Sequence, residues 1–303
     1  MRSLSDPGAV TQALGFLSFT NIGDACGVST LVIIPTYDER ENVESIVGRV
    51  RAATPDVDVL VVDDNSPDGT GALADALAAA DQRIHVMHRA GKEGLGAAYR
   101  DGMRWALDAG YDRIVEMDAD GSHRPEELHR LLAALREPGT RETGAPAAST
   151  NAPTNTPVPT PGADVVLGSR WVPGGGVVNW PARRRLLSRG GSAYSRIALG
   201  IPAKDVTGGY RAFTAEALRS IHFADVESQG YCFQIDMLRR AYRAGLSVAE
   251  VPITFVEREH GASKMSGGIV REAMWRVTVW GVSGLPQRFR RTRVPVAVKT
   301  HVG

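Results

Sequence analysis

Residues 31–62, with the sequence LVIIPTYDERENVESIVGRVRAATPDVDVLVV, decide the fold of this chain. The run Leu31-Val32-Ile33-Ile34 and the run from Val57 to Val62 are short, rich in β-branched residues and mostly apolar, which is typical of strands covered on both faces. Between them, residues 41–53 are long enough for roughly three helical turns. Strand, helix and strand in this order predict a parallel βαβ unit with a right-handed crossover.

The same alternation continues along the chain. Apolar runs predict further strands at residues 84–87, 114–117 and 165–167, and helical patterns occupy residues 70–80, 95–109 and 125–136. The last helix opens with Pro125-Glu126-Glu127, which suits a helix N-terminus. We therefore predict an α/β fold, with a mostly parallel sheet flanked by helices in a single domain.

Three segments fall outside this pattern. Residues 1–28 are rich in Gly, Ser and Thr and predict a disordered N-terminal extension without the features of a signal peptide. Residues 137–163 contain almost no large apolar side chains and predict a disordered insertion. The alternative is that this segment links two domains. The apolar run after the insertion instead favours a single domain that spans residues 29–268. Residues 269–303 predict a C-terminal amphipathic helix and a basic tail.

Composition excludes several classes of protein. The chain has 303 residues, 43% of them hydrophobic, and a formal net charge of +1, which argues against a general nucleic-acid binder. Cys26 and Cys232 give no disulfide framework and are compatible with a reducing cytosol. Cys232 is interpreted as a buried apolar residue. No run reaches the roughly 18 to 20 apolar residues that a spanning helix needs.

Two carboxylates follow the predicted strand 114–117. Asp118 and Asp120 are oxygen ligands of the kind that Mg²⁺ and Mn²⁺ prefer, and Mg²⁺ leaves most of its positions to water and phosphates. Ligands in such sheets bind beyond the carboxyl ends of the strands. An isolated Asp-x-Asp motif is also compatible with an ordinary polar turn at a strand end.

Other polar groups are predicted at the same edge of the sheet. Asp63-Asp64 ends the second strand, where one carboxylate could accept hydrogen bonds from a base edge or a ribose. The residues after it are typical of an ordinary turn. Residues 91–96 fit either a phosphate-binding loop or a flexible turn. The first strand lacks the G-x-G-x-x-G of a dinucleotide site, which argues against a dehydrogenase. Arg170 suits a phosphate or a structural ion pair.

Taken in order, these segments resemble a family 2 glycosyltransferase of the GT-A (Rossmann-like) fold, specifically the polyprenol (dolichol) monophosphate mannosyltransferases. The resemblance covers about residues 30–268. Each motif is weak alone, and seven in order are a strong signal. They are Ile34–Asn42, Val62–Thr70, Gly94–Tyr99, Met117–His123, Gly168–Arg170, Asp205–Arg211 and Phe255–Arg258 with Gly261–Lys264.

The resemblance assigns roles to particular residues. It implies a metal and donor-diphosphate segment at Asp118, Ala119 and Asp120. Ser122 stands where some members offer Gln as a metal ligand, so its role stays open. Asp38 replaces the usual Asn. The nucleotide is expected at Pro35, Tyr37, Glu39, Val62 and Asp64, and the cations near the donor or acceptor phosphates at Arg170, Arg258 and Lys264.

The acceptor side is expected among basic residues. Arg183 and Arg184 could guide a lipid phosphate at an anionic membrane surface, although a solvated helix face is an equal alternative. Asp205 and Arg211 fall in a segment that could orient the acceptor or, for Asp205, an arginine. The helix from residue 269 carries Trp residues and fits either a membrane interface or packing on the core.

The implied activity is an Mg²⁺- or Mn²⁺-dependent, inverting transfer of mannose from GDP-mannose to a polyprenyl monophosphate, without a nucleophilic side chain. The alternatives are another nucleotide sugar such as UDP-glucose, or a non-catalytic nucleotide-sugar-binding module. We expect a peripheral protein at the cytoplasmic face of the membrane, with a possible membrane partner subunit.

Overall fold

A computed structural model describes residues 27–140, 162–226, 230–258 and 267–291 of the chain. Most of the predicted N-terminal extension, the middle of the predicted insertion and the predicted basic tail after residue 291 lie outside these residues.

Strands and helices alternate through the first half of the described chain, as the sequence predicts. The strands are β1 Thr30–Thr36, β2 Asp58–Asp63, β3 Ile84–His88, β4 Arg113–Glu116, β5 Val165–Ser169, β6 Gly176–Val178, β7 Arg211–Thr214, β8 Val248–Pro252 and β9 Thr254–Val256. The helices are α1 Arg40–Ala53, α2 Thr70–Ala80, α3 Leu95–Asp108, α4 Leu128–Ala134, α5 Ala182–Leu199, α6 Ala215–Ile221, α7 Tyr231–Arg243 and α8 Gly267–Arg291. Single 3₁₀ turns form at Pro125–Glu127 and Phe223–Asp225.

Seven of the strands form one mostly parallel sheet in the order β3-β2-β1-β4-β7-β5-β8. The exception is β7, which runs antiparallel to both β4 and β5. Strands β6 and β9 form a separate parallel pair. The predicted fold class is confirmed, and β5 joins the sheet built by β1 to β4, as expected for a single domain.

The sheet is covered on both faces. Alternate residues of β1 enter two different hydrophobic clusters, with Leu31 and Ile33 on one face and Val32 and Ile34 on the other. All four are fully buried, and each such side chain contributes about 1.5–3 kcal/mol of burial free energy. Helix α3 lies very close to β1, because a Cβ at Gly102 would stand 2.8 Å from Ile33 Cγ2. This approach fixes the helix that carries Tyr99 toward the site described below.

The described ends of the predicted insertion are tied to the domain. The backbone N–H of Arg136 donates to the carbonyl of Ala163 at 2.8 Å, and its guanidinium lies 2.7 Å from Asp164. Glu137 forms an ion pair with Arg113 at 2.8 Å. The chain on both sides of residues 141–161 is therefore joined to the domain, and the predicted disorder of the insertion falls mostly outside the described residues.

Two further expectations concern thiols and membranes. Cys232 is 2% exposed, and burial raises the pKa of its thiol to about 11, which agrees with an apolar role; Cys26 lies outside the described residues. Within the part of the chain that the structure describes, no helix combines the length and apolar character that a bilayer crossing requires.

Candidate active site

The predicted site residues of the first half converge at the carboxyl ends of β1, β2 and β4. The parallel register places Pro35 beside Val62 and Thr36 beside Asp63, so that Tyr37 and Asp64 follow on adjacent strands. Glu39 immediately precedes α1 and accepts a hydrogen bond from Asn42 at 2.7 Å. The strand that leads to Asp118 lies on the other side of β1.

Asp63 and Asp64 have different roles, and the resemblance had assigned only Asp64 to the nucleotide. Asp63 Oδ1 accepts from the hydroxyls of Thr36 at 3.1 Å and Ser66 at 2.6 Å, so this carboxylate holds the turn after β2. Asp64 Oδ1 accepts from Arg89 Nη1 at 2.5 Å, and its side chain is 6% exposed. Burial raises the pKa of Asp64 above its ordinary value, although the Arg89 guanidinium opposes this shift.

Two left-handed residues shape the loops after β1 and β2. Asp38 has φ +55° and Asn65 has φ +57°, a region that Asn and Asp enter more readily than other residues with a side chain. The backbone N–H of Asp38 donates to Ser66 Oγ at 3.1 Å and joins the two loops. The departure of Asp38 from the usual Asn is therefore conservative in conformation.

The loop between β3 and α3 reaches the predicted nucleotide end of the site. Lys92 Nζ lies 3.7 Å from the centre of the Tyr37 ring, which is cation–π geometry. Helix α3 begins directly after Gly94, which has φ +95°. Residues 91–94 thus place a cation over an aromatic ring rather than forming a P-loop.

Asp118 is oriented by residues that the sequence analysis assigned no role. Tyr99 on α3 donates its hydroxyl to Asp118 Oδ1 at 3.2 Å, and the backbone N–H of Asp118 donates to His123 Nδ1 at 3.1 Å. His123 is 1% exposed and stacks on Tyr210 with ring centres 5.1 Å apart. Burial lowers the pKa of His123, so the ring is a neutral acceptor at this nitrogen. Burial also raises the pKa of Asp118.

Asp120 is brought into contact with a predicted cation from the end of the domain. Its Oδ1 accepts from the backbone N–H of Ser122 at 3.0 Å, and its Oδ2 lies 3.2 Å from Arg258 Nη2. Burial raises the pKa of Asp120, but the Ser122 hydrogen bonds and the charge of Arg258 outweigh it and leave the pKa below its ordinary value. Ala119 between the carboxylates is 4% exposed. Lys264 lies outside the described residues.

The donor set at this position fits a hard divalent cation. In the described ranges no three His, Cys, Asp or Glu side chains are grouped so as to hold a metal by themselves. The carboxylates of Asp118 and Asp120 supply oxygen ligands, and Mg²⁺ commonly takes only one or two carboxylates and completes its shell with substrate phosphates and water. Whether Ser122, which is 1% exposed, adds a ligand stays a prediction.

Arg170 forms a buried ion pair with Asp205. Its Nε and Nη2 donate to the two carboxylate oxygens at 2.7 and 2.6 Å, and Nη2 also donates to Thr207 Oγ1 at 3.0 Å. Arg170 is 5% and Asp205 1% exposed. The sequence left a phosphate contact or an ion pair open for Arg170, and the structure shows the ion pair. It left the acceptor or an arginine open for Asp205, and the structure shows that Asp205 orients Arg170. A phosphate contact by Arg170 stays a prediction.

Arg211 is not placed at the acceptor side. It is fully buried in β7 and donates to the backbone carbonyls of Val206, Gly208 and Gln234 at 2.6–2.8 Å. The expectation that it contacts the acceptor does not fit this position, because its donors are aimed at the protein interior. Burial lowers its pKa to about 10, so it remains charged at neutral pH.

The remaining predicted cations begin α5. Arg184 forms an ion pair with Glu257 and lies 4.2 Å from the centre of the Trp180 ring, whereas Arg183 is exposed. One turn later, the hydroxyl of Ser188 is buried without a hydrogen-bond partner. The sequence around Ser188 is rich in arginines and small residues, and nothing in it distinguishes Ser188 from its neighbours.

Comparisons with known proteins agree on a family. A family model described as glycosyl transferase family 2 matches residues 31–155. The chain is 55% identical to polyprenol monophosphomannose synthase of Mycolicibacterium smegmatis over 262 residues, which cover 86% of this chain and 90% of that protein. It is 53% identical to undecaprenyl-phosphate mannosyltransferase of Micrococcus luteus over 253 residues, covering 84% of this chain and 94% of that protein.

Solved structures add evidence for the fold. Glucosyl-3-phosphoglycerate synthase from Mycobacterium tuberculosis, in complex with Mn²⁺, uridine diphosphate and glucosyl-3-phosphoglycerate, has a TM-score of 0.52 at 20% identity and covers 89% of this chain and 82% of that chain. Its complex with phosphoglyceric acid has a TM-score of 0.54 at 20% identity, with coverage of 85% and 80%. At this identity the likeness concerns the fold alone.

Proposed function

This chain belongs to glycosyl transferase family 2 and, from this membership together with the carboxylate pair at its sheet edge, we propose that it transfers mannose from GDP-mannose to a polyprenyl monophosphate. The observation that carries the proposal is the placement of Asp118, Asp120 and Arg258 together, beyond the strand edge that also bears Tyr37 and Asp64. Relatives named for mannosyl transfer to polyprenyl phosphates support the sugar and the acceptor.

The donor is proposed to lie across the ends of β1, β2 and β4. Its nucleoside faces Tyr37 and Asp64, with Pro35, Val62 and Glu39 around it, and its diphosphate faces Asp118 and Asp120. Mg²⁺ or Mn²⁺ held by these two carboxylates would supply positive charge to the leaving diphosphate. Fold likeness to an enzyme solved with Mn²⁺ and a nucleoside diphosphate is compatible with this assignment.

The residues of the chain stabilise charge rather than move protons. Arg258 lies beside Asp120, where its positive charge can stabilise the negative charge that develops on the leaving diphosphate. Lys264 is proposed to assist it. The acceptor phosphate is already anionic at neutral pH, so attack on the sugar carbon needs no obligatory general base. One displacement inverts the configuration and gives a β-linked mannosyl phospholipid. No covalent enzyme intermediate is required.

The acceptor phosphate is proposed to approach from the start of α5. Arg184 lies over Trp180 and reaches Glu257, which directly precedes Arg258 in the chain. Ser188, with its unpartnered buried hydroxyl, follows on the same side of the helix. Arg183 is exposed and suited to long-range attraction of an anionic surface. These groups connect the donor site to α5, a helix that also exposes large apolar side chains.

The exposed apolar side chains of α5 and α8 support peripheral membrane binding. Among the described residues, the large apolar side chains that are at least two-fifths exposed concentrate on α5 and α8, which pack together through a hydrogen bond of 2.5 Å between Tyr194 and Thr278. Ala273 and Val277 of α8 are buried, so this helix both packs on the core and keeps an apolar outer face. On these two helices the set comprises Leu186, Leu187, Ile197, Met274, Trp275, Val279 and Val282, and outside them it comprises Val28 and Val178. The cytoplasmic face and a membrane partner subunit stay predictions.

Weakening this surface should release the protein from lipid. The double variant Ile197→Ser with Trp275→Ser removes side chains that are 80% and 68% exposed, and we expect at least about fivefold weaker binding to phosphatidylglycerol vesicles in sedimentation assays. Val28→Ser, at a side chain 40% exposed outside these helices, is the control and should bind like the wild type. Equal binding of all three proteins would contradict a membrane role for α5 and α8.

Transfer itself tests donor, acceptor and reaction together. Purified protein, Mg²⁺ or Mn²⁺, labelled GDP-mannose and a short polyprenyl phosphate should give a labelled, acid-labile lipid, and UDP-glucose should give less. Preferred transfer from UDP-glucose would replace the donor in the proposal. Nucleotide-sugar binding, seen as a thermal shift, without transfer from any donor would favour the non-catalytic alternative.

A further inference from the structure

Arg89 is a buried arginine at the edge of the nucleotide site, with no role assigned so far. It follows β3, one of the two edge strands of the sheet, and its backbone N–H donates to the carbonyl of Asp63 at 2.8 Å, which continues the strand pairing by one residue. Its side chain is only 7% exposed. The guanidinium is therefore held below the surface, between β2 and α3.

All three guanidinium nitrogens contact carboxylates, each from a different residue. Nη1 lies 2.5 Å from Asp64, Nε 2.9 Å from Asp101 on α3, and Nη2 3.2 Å from Glu93 in the following loop. Asp101 and Glu93 are 37% and 70% exposed, and such solvated pairs contribute little to stability. The pair with Asp64 is the buried one, because that carboxylate is 6% exposed.

The geometry leaves half of Asp64 available. Arg89 occupies Oδ1, and in the described chain no side-chain hydrogen bond is made to Oδ2. A carboxylate at this depth favours its protonated form unless a cation opposes the shift, and Arg89 is the cation present. A carboxylate anchored through one oxygen keeps its other oxygen as an acceptor for the N–H groups of a base edge or the hydroxyls of a ribose.

Arg89 also fixes the loop that covers Tyr37. Its backbone hydrogen bond to Asp63 and its buried pair with Asp64 hold the start of the loop against the end of β2, and within that loop Lys92 Nζ lies 3.7 Å from the centre of the Tyr37 ring. Both sides of the nucleoside position, the carboxylate and the aromatic ring with its cation, thus depend on one side chain.

We propose that Arg89 is a positioning residue for nucleoside recognition, which holds Asp64 in one orientation and sets Lys92 over Tyr37. This inference rests on the proposed function, because it takes Asp64 to be the contact for the nucleoside of the donor. It separates recognition of the nucleoside from recognition of the diphosphate, which lies at Asp118 and Asp120.

Calorimetric binding of two probes tests the separation. In the presence of Mg²⁺, Arg89→Ala should weaken GDP binding at least about tenfold and leave pyrophosphate binding within about twofold of the wild type. Arg89→Lys keeps one charged contact to Asp64 and should recover part of the GDP affinity. In turnover, KM for the donor should rise more than kcat falls. The tenfold loss corresponds to about 1.4 kcal/mol.

Arg104→Ala is the matched control. Arg104 also pairs with Asp101, at 3.1 Å, but it is 55% exposed and does not contact Asp64. Its loss should leave the binding of both probes unchanged. If Arg89→Ala does not fold, Arg89→Lys decides the question with the same two probes.

Two results overturn the inference. GDP affinity within twofold of the wild type in both Arg89 variants would show that Asp64 needs no positioning, and equal losses for GDP and pyrophosphate would show a general structural role. Failure of the proposed function appears elsewhere, in the wild type: if it prefers another nucleoside diphosphate, the same comparison is made with that ligand, and if it binds none, both proposals are wrong.

Discussion

Asp120→Asn is expected to lower kcat/KM for mannosyl transfer by about 100-fold to 1,000-fold while the protein stays folded. The variant keeps the shape of the side chain and one oxygen that can accept from the Ser122 N–H. It loses the negative charge that faces Arg258 at 3.2 Å and that would help to hold a divalent cation. Asp118→Asn should have an effect of the same order, since Asp118 supplies the second carboxylate.

The measurement is the initial rate of lipid mannosylation over a range of Mg²⁺ or Mn²⁺ concentrations, with thermal unfolding to confirm the fold. Glu126→Gln is the matched control, because it removes a nearby carboxylate that pairs with Arg49 at 2.9 Å and is 50% exposed. That control should retain at least about half of the wild-type rate. Near-normal, metal-dependent turnover by Asp120→Asn would refute the assignment of the carboxylate pair.

The sheet could be predicted because its signals are local. The run of residues 31–34 lies inside β1, and the predicted helix 70–80 coincides with α2. In both cases the alternation or periodicity of neighbouring residues carries the information. The four-residue strand β7 lacks such a pattern, and its antiparallel pairing with β4 and β5 depends on a chain reversal that periodicity does not encode.

The site was predictable in its position but not in its pairings. Asp64 and Asp120 were located by the strands that precede them. Their ionic partners, Arg89 and Arg258, lie 25 and 138 residues further along the chain, and nothing in the local sequence specifies these contacts. The same limit applies to Arg170, because its motif fitted a phosphate site or an ion pair equally, and the folded chain places the Asp205 carboxylate against it.

Arg211 shows how a residue in a functional motif can belong to the interior. Its neighbours across the β4–β7 pair include Glu116, which is directly opposite in the register and also fully buried. Gln234 donates to Glu116 at 2.9 Å, while its own backbone carbonyl accepts from Arg211. Arg211, Glu116 and Gln234 therefore form a buried polar cluster at the end of β4, two residues before Asp118.

Arg211→Met should therefore reduce the free energy of unfolding by about 3–5 kcal/mol, because several buried acceptors lose a charged donor and each such loss costs about 1–3 kcal/mol. The variant fills similar volume but leaves three backbone carbonyls without their donor and Glu116 without its facing cation. Urea unfolding at pH 7 measures the change. Arg219→Met, at an exposed position on α6, should change stability by no more than about 0.5 kcal/mol.

The same variant separates the two roles considered for Arg211. A residue that contacts the acceptor would raise the KM for polyprenyl phosphate with little change in stability, because its partner would be the substrate. If Arg211 instead serves as a hydrogen-bond donor in the interior, the variant loses stability. Any fraction of the variant that remains folded at low temperature should then keep the wild-type KM for the acceptor. A loss below about 1 kcal/mol together with a raised acceptor KM would restore the acceptor role. The burial of Arg211 and its three carbonyl partners predict the opposite result.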